Sequence, residues 1–292
     1  MKWIDYISPT SVREAIDILA REGDRARFLA GGTDILVQLR SARWQPDILV
    51  DVKSIPELNQ LSYAPSEGLT LGAAVPCYKI YDDAAVVSAY PALIDSTLII
   101  GGIQIQGRAS VGGNLCNAAP SADAIPALIA LQATVEIVSP QGHRRVAVED
   151  FCTGPGENIL RPDEMMVSLH IPPPPHNFGS RYIRFIPRNE MDIAVVGAGV
   201  SVELSDDKST IKSARISLAS VAPTPLFVEE AGEALAGQPI TEENIRKASD
   251  LAKKAARPIT DMRGTIDYRI HLCEVLTRRA LNTAIERAKE AS

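Results

Sequence analysis

The chain has 292 residues, 23% of them charged and 46% hydrophobic, with a formal net charge of −6 and a pI near 5.4. That describes a globular chain long enough for two domains, and it argues against a general affinity for nucleic acid or an anionic membrane surface. No uncharged apolar run approaches the ~20 residues needed to span a bilayer. Asp5, Glu14 and Asp17 interrupt the N-terminus where a secretory signal would be apolar, so the expected compartment is the cytoplasm.

In chain order, "SPTS" opens a helix. Ser11 with Glu14 forms a capping box, Val12, Ala15, Ile16 and Leu19 supply an apolar stripe, and Gly23 stops it. "RARFLAGG" reads as a short buried strand ending in glycines, "TDILVQLRSA" as a helix capped by Thr33, and "DILVDV" as a second strand, together a βαβ unit. "GLTLGAAV" is strand-like, and residues 80–100 are helical material broken at Pro91. "SADAIPALIALQA" reads as a helix capped by Ser121, with Pro126 near its first turn. "TVEIVSP" and "RRVAVEDF" alternate like a hairpin.

Four consecutive prolines in "HIPPPPHNFGS" mark a linker at residues 170–180. Beyond it, "RYIRFIP", "DIAVVGAGVSVEL" and "IKSARISLASVA" predict a three-stranded antiparallel meander. The remainder is helical: Thr241 opens one helix, and residues 265–289 form the longest, with Ile266, Ile270, Cys273, Leu281, Ala284 and Ile285 near one face.

Cysteines 77, 116, 152 and 273 and histidines 143, 170, 176 and 271 are scattered without CxxC or other ligand spacing, so no protein-bound metal is expected. No GxSxG or paired-carboxylate pattern suggests catalytic residues of the chain's own.

Three glycine stretches invite a phosphate reading. "GAGVSV" lies in a strand with no helix after it, which fits a packed glycine-bearing strand better than a dinucleotide fingerprint. "LAGGTD" has the right order of strand, glycines and helix start, though a tight turn without ligand accounts for it equally well. "ASVGGNLCNAAPSAD" reads as a loop with a second glycine pair. Neither of the last two holds Lys or Arg, so a pyrophosphate there would meet main-chain amides and the side chains of Thr33, Ser110 and Asn114. Asp34 and Asp123 follow the loops and suit either sugar hydroxyls or a helix start.

"FLAGGTDILVQLR" and "ASVGGNLCNAAPSAD", about 80 residues apart, together resemble the FAD-binding medium subunit of the molybdenum hydroxylase family. That family includes the medium chain of carbon monoxide dehydrogenase and the flavin domain of xanthine dehydrogenase. The likeness continues through "FCTGPGENILRPDEMMVSLHIP" and "RFIPRNEMDIAVVGAGV", covering nearly the whole chain. It implies an α+β fold: an FAD-binding domain of the vanillyl-alcohol-oxidase (PCMH) type over residues 1–175, in two parts of about 1–55 and 56–175. A C-terminal domain over 176–292, with the three-stranded antiparallel sheet and helices, would follow.

The resemblance assigns the flavin contacts. Phe28, Leu29, Ala30, Gly31, Gly32, Thr33, Asp34 and Ile35 would wrap the pyrophosphate, with Ser110, Gly113 and Asn114 on the other side. Cys116 and Ala122 would line the adenosine and ribityl path, Asp123 would bond a ribose hydroxyl, and Met165 and Met166 would flank the flavin. Arg184 stands where the family often has a lysine facing the isoalloxazine, and Asp192 falls at an acidic position near the ring. The guanidinium would still stabilise negative charge there, with different geometry.

By the same resemblance, substrate is hydroxylated at a molybdenum cofactor on a large subunit. Electrons reach this FAD through [2Fe-2S] clusters on a small subunit and leave to NAD, a quinone or oxygen, in a dimer of heterotrimers. A self-contained flavoprotein oxidase or reductase, or a scaffold without flavin, are the alternatives.

Overall fold

A computed structural model describes residues 3–291. Ser11 takes extended backbone and its Oγ accepts the Glu14 N–H at 3.2 Å, closing the first turn of α1 (Val12–Glu22). The return contact of the box goes to the neighbouring amide: the Glu14 carboxylate accepts the Thr10 N–H at 2.9 Å. Gly23, at φ +53°, ends the helix. Ala15, Ile16, Ile18 and Leu19 are buried against a parallel sheet of β1 (Asp5–Ile7), β2 (Ala26–Leu29) and β3 (Ile48–Asp51), in the order β1-β3-β2. Between β2 and β3 runs α2 (Ile35–Arg40). It starts later than the sequence suggests, with Asp34 and not Thr33 at the N-cap and no side-chain cap bond.

A second sheet, antiparallel throughout, has the order β4-β5-β10-β6-β7. Its strands are β4 (Leu61–Ala64), β5 (Gly68–Gly72), the expected hairpin β6 (Thr134–Ser139) and β7 (Gly142–Ala147), and β10 (Met165–Ile171). A small ribbon, β8 (Cys152–Gly154) with β9 (Glu157–Asn158), precedes β10. Between β5 and β6 lie six short helices: α3 (Cys77–Asp82), α4 (Ala84–Ala89), α5 (Pro91–Thr97), α6 (Ile103–Gln106), α7 (Val111–Asn117) and α8 (Ala124–Ala130). Two readings change here. The second glycine stretch is helix and not loop, because the Ser110 Oγ accepts the Gly113 N–H at 3.0 Å and caps α7. Asp123, not Ser121, occupies the N-cap of α8, and Pro126 is its third residue, where a missing N–H costs nothing.

Past the prolines, β11 (Phe178–Phe185), β12 (Val196–Leu204) and β13 (Thr210–Ala219) form the expected meander. Two-residue strands β14 (Leu226–Phe227) and β15 (Gln238–Pro239) extend it to five, too short to show alternation in sequence. α9 (Glu229–Glu233) packs on it; α10 (Glu242–Ala255, capped by Thr241) follows and packs on α9 and on α11 (Ile266–Glu290), which lies on the sheet. The buried face of α11 runs through Leu272, Leu276 and Ala280 to Ala288, whereas Ile266 is exposed. "GAGVSV" is interior to β12, and a Cβ on Gly199 would come 2.4 Å from the Pro126 carbonyl oxygen, so that glycine serves helix-on-sheet contact.

The C-terminal sheet is tied to the rest by charge as well as apolar packing. Asp95 of α5 accepts from Arg181 at 2.6 Å, from Arg287 at 2.7 Å and from the Tyr182 N–H at 3.1 Å. Both arginines keep some water contact, so loss of the carboxylate leaves two partly desolvated cations. Asp95→Ala should lower unfolding free energy by about 2 kcal/mol, read as a lower urea midpoint at unchanged m.

Candidate cofactor cleft

A cavity of about 690 Å³ opens where the segment after β2 meets the start of α7. Its size is within the range of small-molecule and cofactor sites. Phe28, Ala30, Gly31, Gly32, Thr33, Asp34 and Ile35 line it from the first glycine segment. Ser110, Gly113, Asn114 and Cys116 line it from the second, and Met165 and Met166 from β10.

Glycine is what allows the two segments to meet. A Cβ on Gly31 would lie 1.9 Å from the Arg108 carbonyl oxygen, and one on Gly112 would lie 2.5 Å from that of Ala73 and 2.7 Å from Met166 Cε. Gly32, at φ +84°, turns the chain toward α2. A Cβ on Gly113 would meet only the Ser110 Oγ, at 3.0 Å, and would otherwise fill the cavity.

The amides supply the electrostatics. The N–H groups of Gly31, Gly32, Thr33, Asp34 and Ile35 have no acceptor among the described residues, and Gly32 is buried. A buried N–H such as that of Gly32 is otherwise almost always paired, and with its partly exposed neighbours it suits a ligand rich in acceptor oxygens. A diphosphate linking two nucleotide-like halves fits it. FAD has that group, so the residues present fit FAD.

Polar side chains fix the walls. Gln38 donates to the Asn117 Oδ1 at 3.0 Å, joining α2 to α7 across the cleft. Asn158 donates to the Cys116 carbonyl at 2.8 Å, and the Asn114 Oδ1 accepts the Ala124 N–H at 3.3 Å. The Cys116 Sγ sits 3.8 Å from the Met166 Sδ. Burial pushes its thiol up to about 12, so it is neutral wall and not nucleophile. Glu164, whose side chain is wholly buried just before β10, is bonded by Arg144 at 2.7 Å and Arg161 at 2.9 Å. The Arg144 hydrogen bonds lead in holding its carboxyl down to about 2.

Five expected contacts lie elsewhere. Leu29 is buried with Leu39 and Leu49 beneath α2, and Ala122 is in the main core. Asp123 faces the C-terminal sheet: one oxygen accepts from the Tyr182 hydroxyl at 2.7 Å, the other from Arg184 at 2.5 Å. Its carboxylate is therefore engaged away from the cavity, contrary to the expected ribose contact, and the same pairing occupies Arg184. Burial pushes the Asp123 carboxyl up to about 6 against the pull of both partners. Asp192 is held by Arg188 at 3.2 Å and Arg263 at 3.8 Å, and the Ile193 N–H leads in keeping its carboxyl low.

The sequence reading missed Arg27, Arg43, Trp44, Asn117 and Asn158, which also line the cavity. Arg27 lies 4.6 Å over the Trp44 ring, and that half-exposed tryptophan outside any core stripe was the available signal.

A mixed helix-and-sheet fold with an amide-lined cleft defines a nucleotide-cofactor protein, and comparison with known proteins gives the family. Residues 2–174 match the FAD binding domain in molybdopterin dehydrogenase, and residues 181–284 the CO dehydrogenase flavoprotein C-terminal domain. The chain is 31% identical to the xanthine dehydrogenase FAD-binding subunit of Escherichia coli O157:H7, over 97% of this chain and 96% of that one. It is 32% identical to the carbon monoxide dehydrogenase medium chain of Afipia carboxidovorans, over 98% of each. Among solved structures, carbon monoxide dehydrogenase from Hydrogenophaga pseudoflava superposes with a TM-score of 0.93 at 31% identity, covering 98% of each chain. The chain belongs to the family of FAD-binding medium subunits of molybdenum hydroxylases: it is an oxidoreductase subunit, and its cofactor is FAD.

Gly113→Val should fold, since Gly113 has ordinary backbone angles, but its side chain fills the cavity. The variant should purify with little flavin absorbance and with the thermal stability of wild-type apoprotein, below that of the FAD-loaded wild type; normal FAD content would refute the assignment of this wall. The buried Glu164 gives a pH test. Its folded pKa lies below the ordinary value, so its contribution is complete above about pH 4.5 and fades as pH falls toward 2. Glu164→Gln should melt below wild type at pH 7, with the gap closing on acidification.

Proposed function

We propose that this chain is the electron-exit subunit of a molybdenum-containing hydroxylase or dehydrogenase. The observation that carries the reading is the run of unpaired amides at the meeting of the two glycine segments. In this reading residues 1–175 are a two-part FAD-binding domain of the vanillyl-alcohol-oxidase type, divided near residue 55, and 176–292 a separate C-terminal domain. The separation of sheets supports it: parallel within 5–51, antiparallel within 61–171, and a third sheet within 178–239.

The amides of 31–35 hold the pyrophosphate oxygens, with Ser110, Gly113 and Asn114 opposite and Cys116, Met165 and Met166 as apolar wall. FAD, when bound, supplies the redox chemistry that links the [2Fe-2S] clusters of a small subunit to an external acceptor such as NAD, a quinone or oxygen. The protein's own part is to bind, orient and shield the cofactor. Substrate oxidation falls to a large molybdenum-cofactor subunit, in a dimer of heterotrimers. The relatives, described as a subunit and a medium chain of dehydrogenases, support this division of labour. Among the described residues, no group of three or more His, Cys, Asp or Glu is placed to hold a metal, and no helix is long and apolar enough to cross a membrane.

The purified chain should be yellow, reduce artificial dyes at the expense of a chemical or nicotinamide donor, and hydroxylate nothing. Isolated natively, it should bring partner chains containing molybdenum and iron. Oxidation of an organic substrate by the chain alone would instead make it a self-contained flavoenzyme. A colourless chain that cannot be reconstituted with FAD would make it a scaffold.

A further inference from the structure

Neither glycine segment carries a cation, yet two stand behind the first one, outside the cavity. Lys53, just past β3, donates from Nζ to the Ala30 carbonyl at 3.2 Å. Arg108 donates from Nε to the Gly31 carbonyl at 3.3 Å. Neither residue lines the cleft. Their partners are the carbonyls of two successive peptide groups, Ala30–Gly31 and Gly31–Gly32, and all peptides among the described residues are trans. In a trans peptide the C=O and N–H point in opposite directions. A carbonyl turned outward onto a cation therefore turns the N–H of the next residue the other way, and Gly31 and Gly32 both line the cleft with unpaired N–H groups.

Lys53 is itself held in place. Asp51, at the end of β3, is almost fully buried; it accepts from the Lys53 Nζ, from the Lys53 N–H at 3.0 Å and from the Tyr6 hydroxyl of β1. Burial raises the Asp51 carboxyl, but the Lys53 and Tyr6 hydrogen bonds outweigh it and leave it below the ordinary range. A chain of hydrogen bonds thus runs from Tyr6 through Asp51 and Lys53 to the Ala30 carbonyl. Hydrogen bonds in series polarise one another, so a cation on each carbonyl also strengthens the N–H on the far side as a donor.

We infer that Lys53 and Arg108 are positioning residues for cofactor binding: by fixing two carbonyls from behind, they orient and polarise the Gly31 and Gly32 amides toward the FAD pyrophosphate. This rests on the assignment of the 31–35 amides to the pyrophosphate. It also explains how a loop without basic residues presents well-oriented donors to a dianionic group, since the two side-chain hydrogen bonds act through the peptides.

The test compares FAD with riboflavin, which lacks the pyrophosphate, by fluorescence titration of full-length apoprotein, with ³¹P NMR of bound FAD. Lys53→Met should weaken FAD by about tenfold, the equivalent of about 1.4 kcal/mol. It should leave riboflavin unchanged and move the ³¹P resonances toward those of free FAD; Lys53→Arg should restore most of the affinity. Arg108→Gln, at an exposed site, gives an independent variant if Lys53→Met does not fold, with an expected loss of about threefold for FAD alone. Equal losses for FAD and riboflavin would mark these residues as merely structural and overturn the inference. Unchanged FAD affinity in both variants, while wild type still prefers FAD, would overturn it and leave the pyrophosphate site standing. Wild-type protein that binds riboflavin as tightly as FAD would overturn both.

Discussion

The close approach of backbone to backbone at Gly31 and Arg108, and again at Gly112 and Ala73, is the constraint from which the cleft follows. Each contact brings a carbonyl oxygen where any side chain would stand, so both positions require glycine. The first approach sets the parallel-sheet unit against the start of α7; the second sets α7 against the antiparallel sheet. Main-chain donors reach the space left between them because side chains have been excluded from the meeting points.

Such a cleft depends on rigid supports. The Gln38–Asn117 hydrogen bond joins α2 to α7, and Asn158 ties the β8–β9 ribbon to the end of α7. Glu164, clamped by Arg144 and Arg161, sets the entry into the strand that carries Met165 and Met166. Farther back, Asn114 touches the N–H of Ala124, and the adjacent Asp123 reaches Tyr182 and Arg184 of the C-terminal sheet. The cleft is thus continuous with the third sheet through Ala124 and its neighbour Asp123, the N-cap of α8, which connects the cleft in one half of the chain to packing in the other.

Much of this was legible in the sequence because it rests on local chemistry. The Ser11 cap, the Gly23 stop, the hairpin at 134–147 and the three-stranded meander all follow from short-range rules; the prolines do mark a connection, but only 172–177 lie outside strands, since β10 and β11 take both ends of 170–180. The pairing of the two glycine segments was legible as well, since each glycine pair sits at the end of an apolar run. The helical state of 111–117 was not. Glycine costs a helix about 1 kcal/mol per residue, and only the Ser110 cap and tertiary burial of Val111 and Leu115 overcome that. Nor could sequence place Asp123, whose partners lie 59 and 61 residues away on a strand that packs behind it. Lys53 and Arg108 were hidden for a similar reason: they act on the reverse face of a motif to which they do not belong.

Amide hydrogen exchange of the apoprotein, with and without FAD, tests the central claim most directly, because the proposed contacts are the amides themselves. FAD should slow exchange at residues 31–35 by far more than across the C-terminal sheet. FAD binding that leaves those amides exchanging as fast as before would contradict the placement of the cofactor between the two glycine segments.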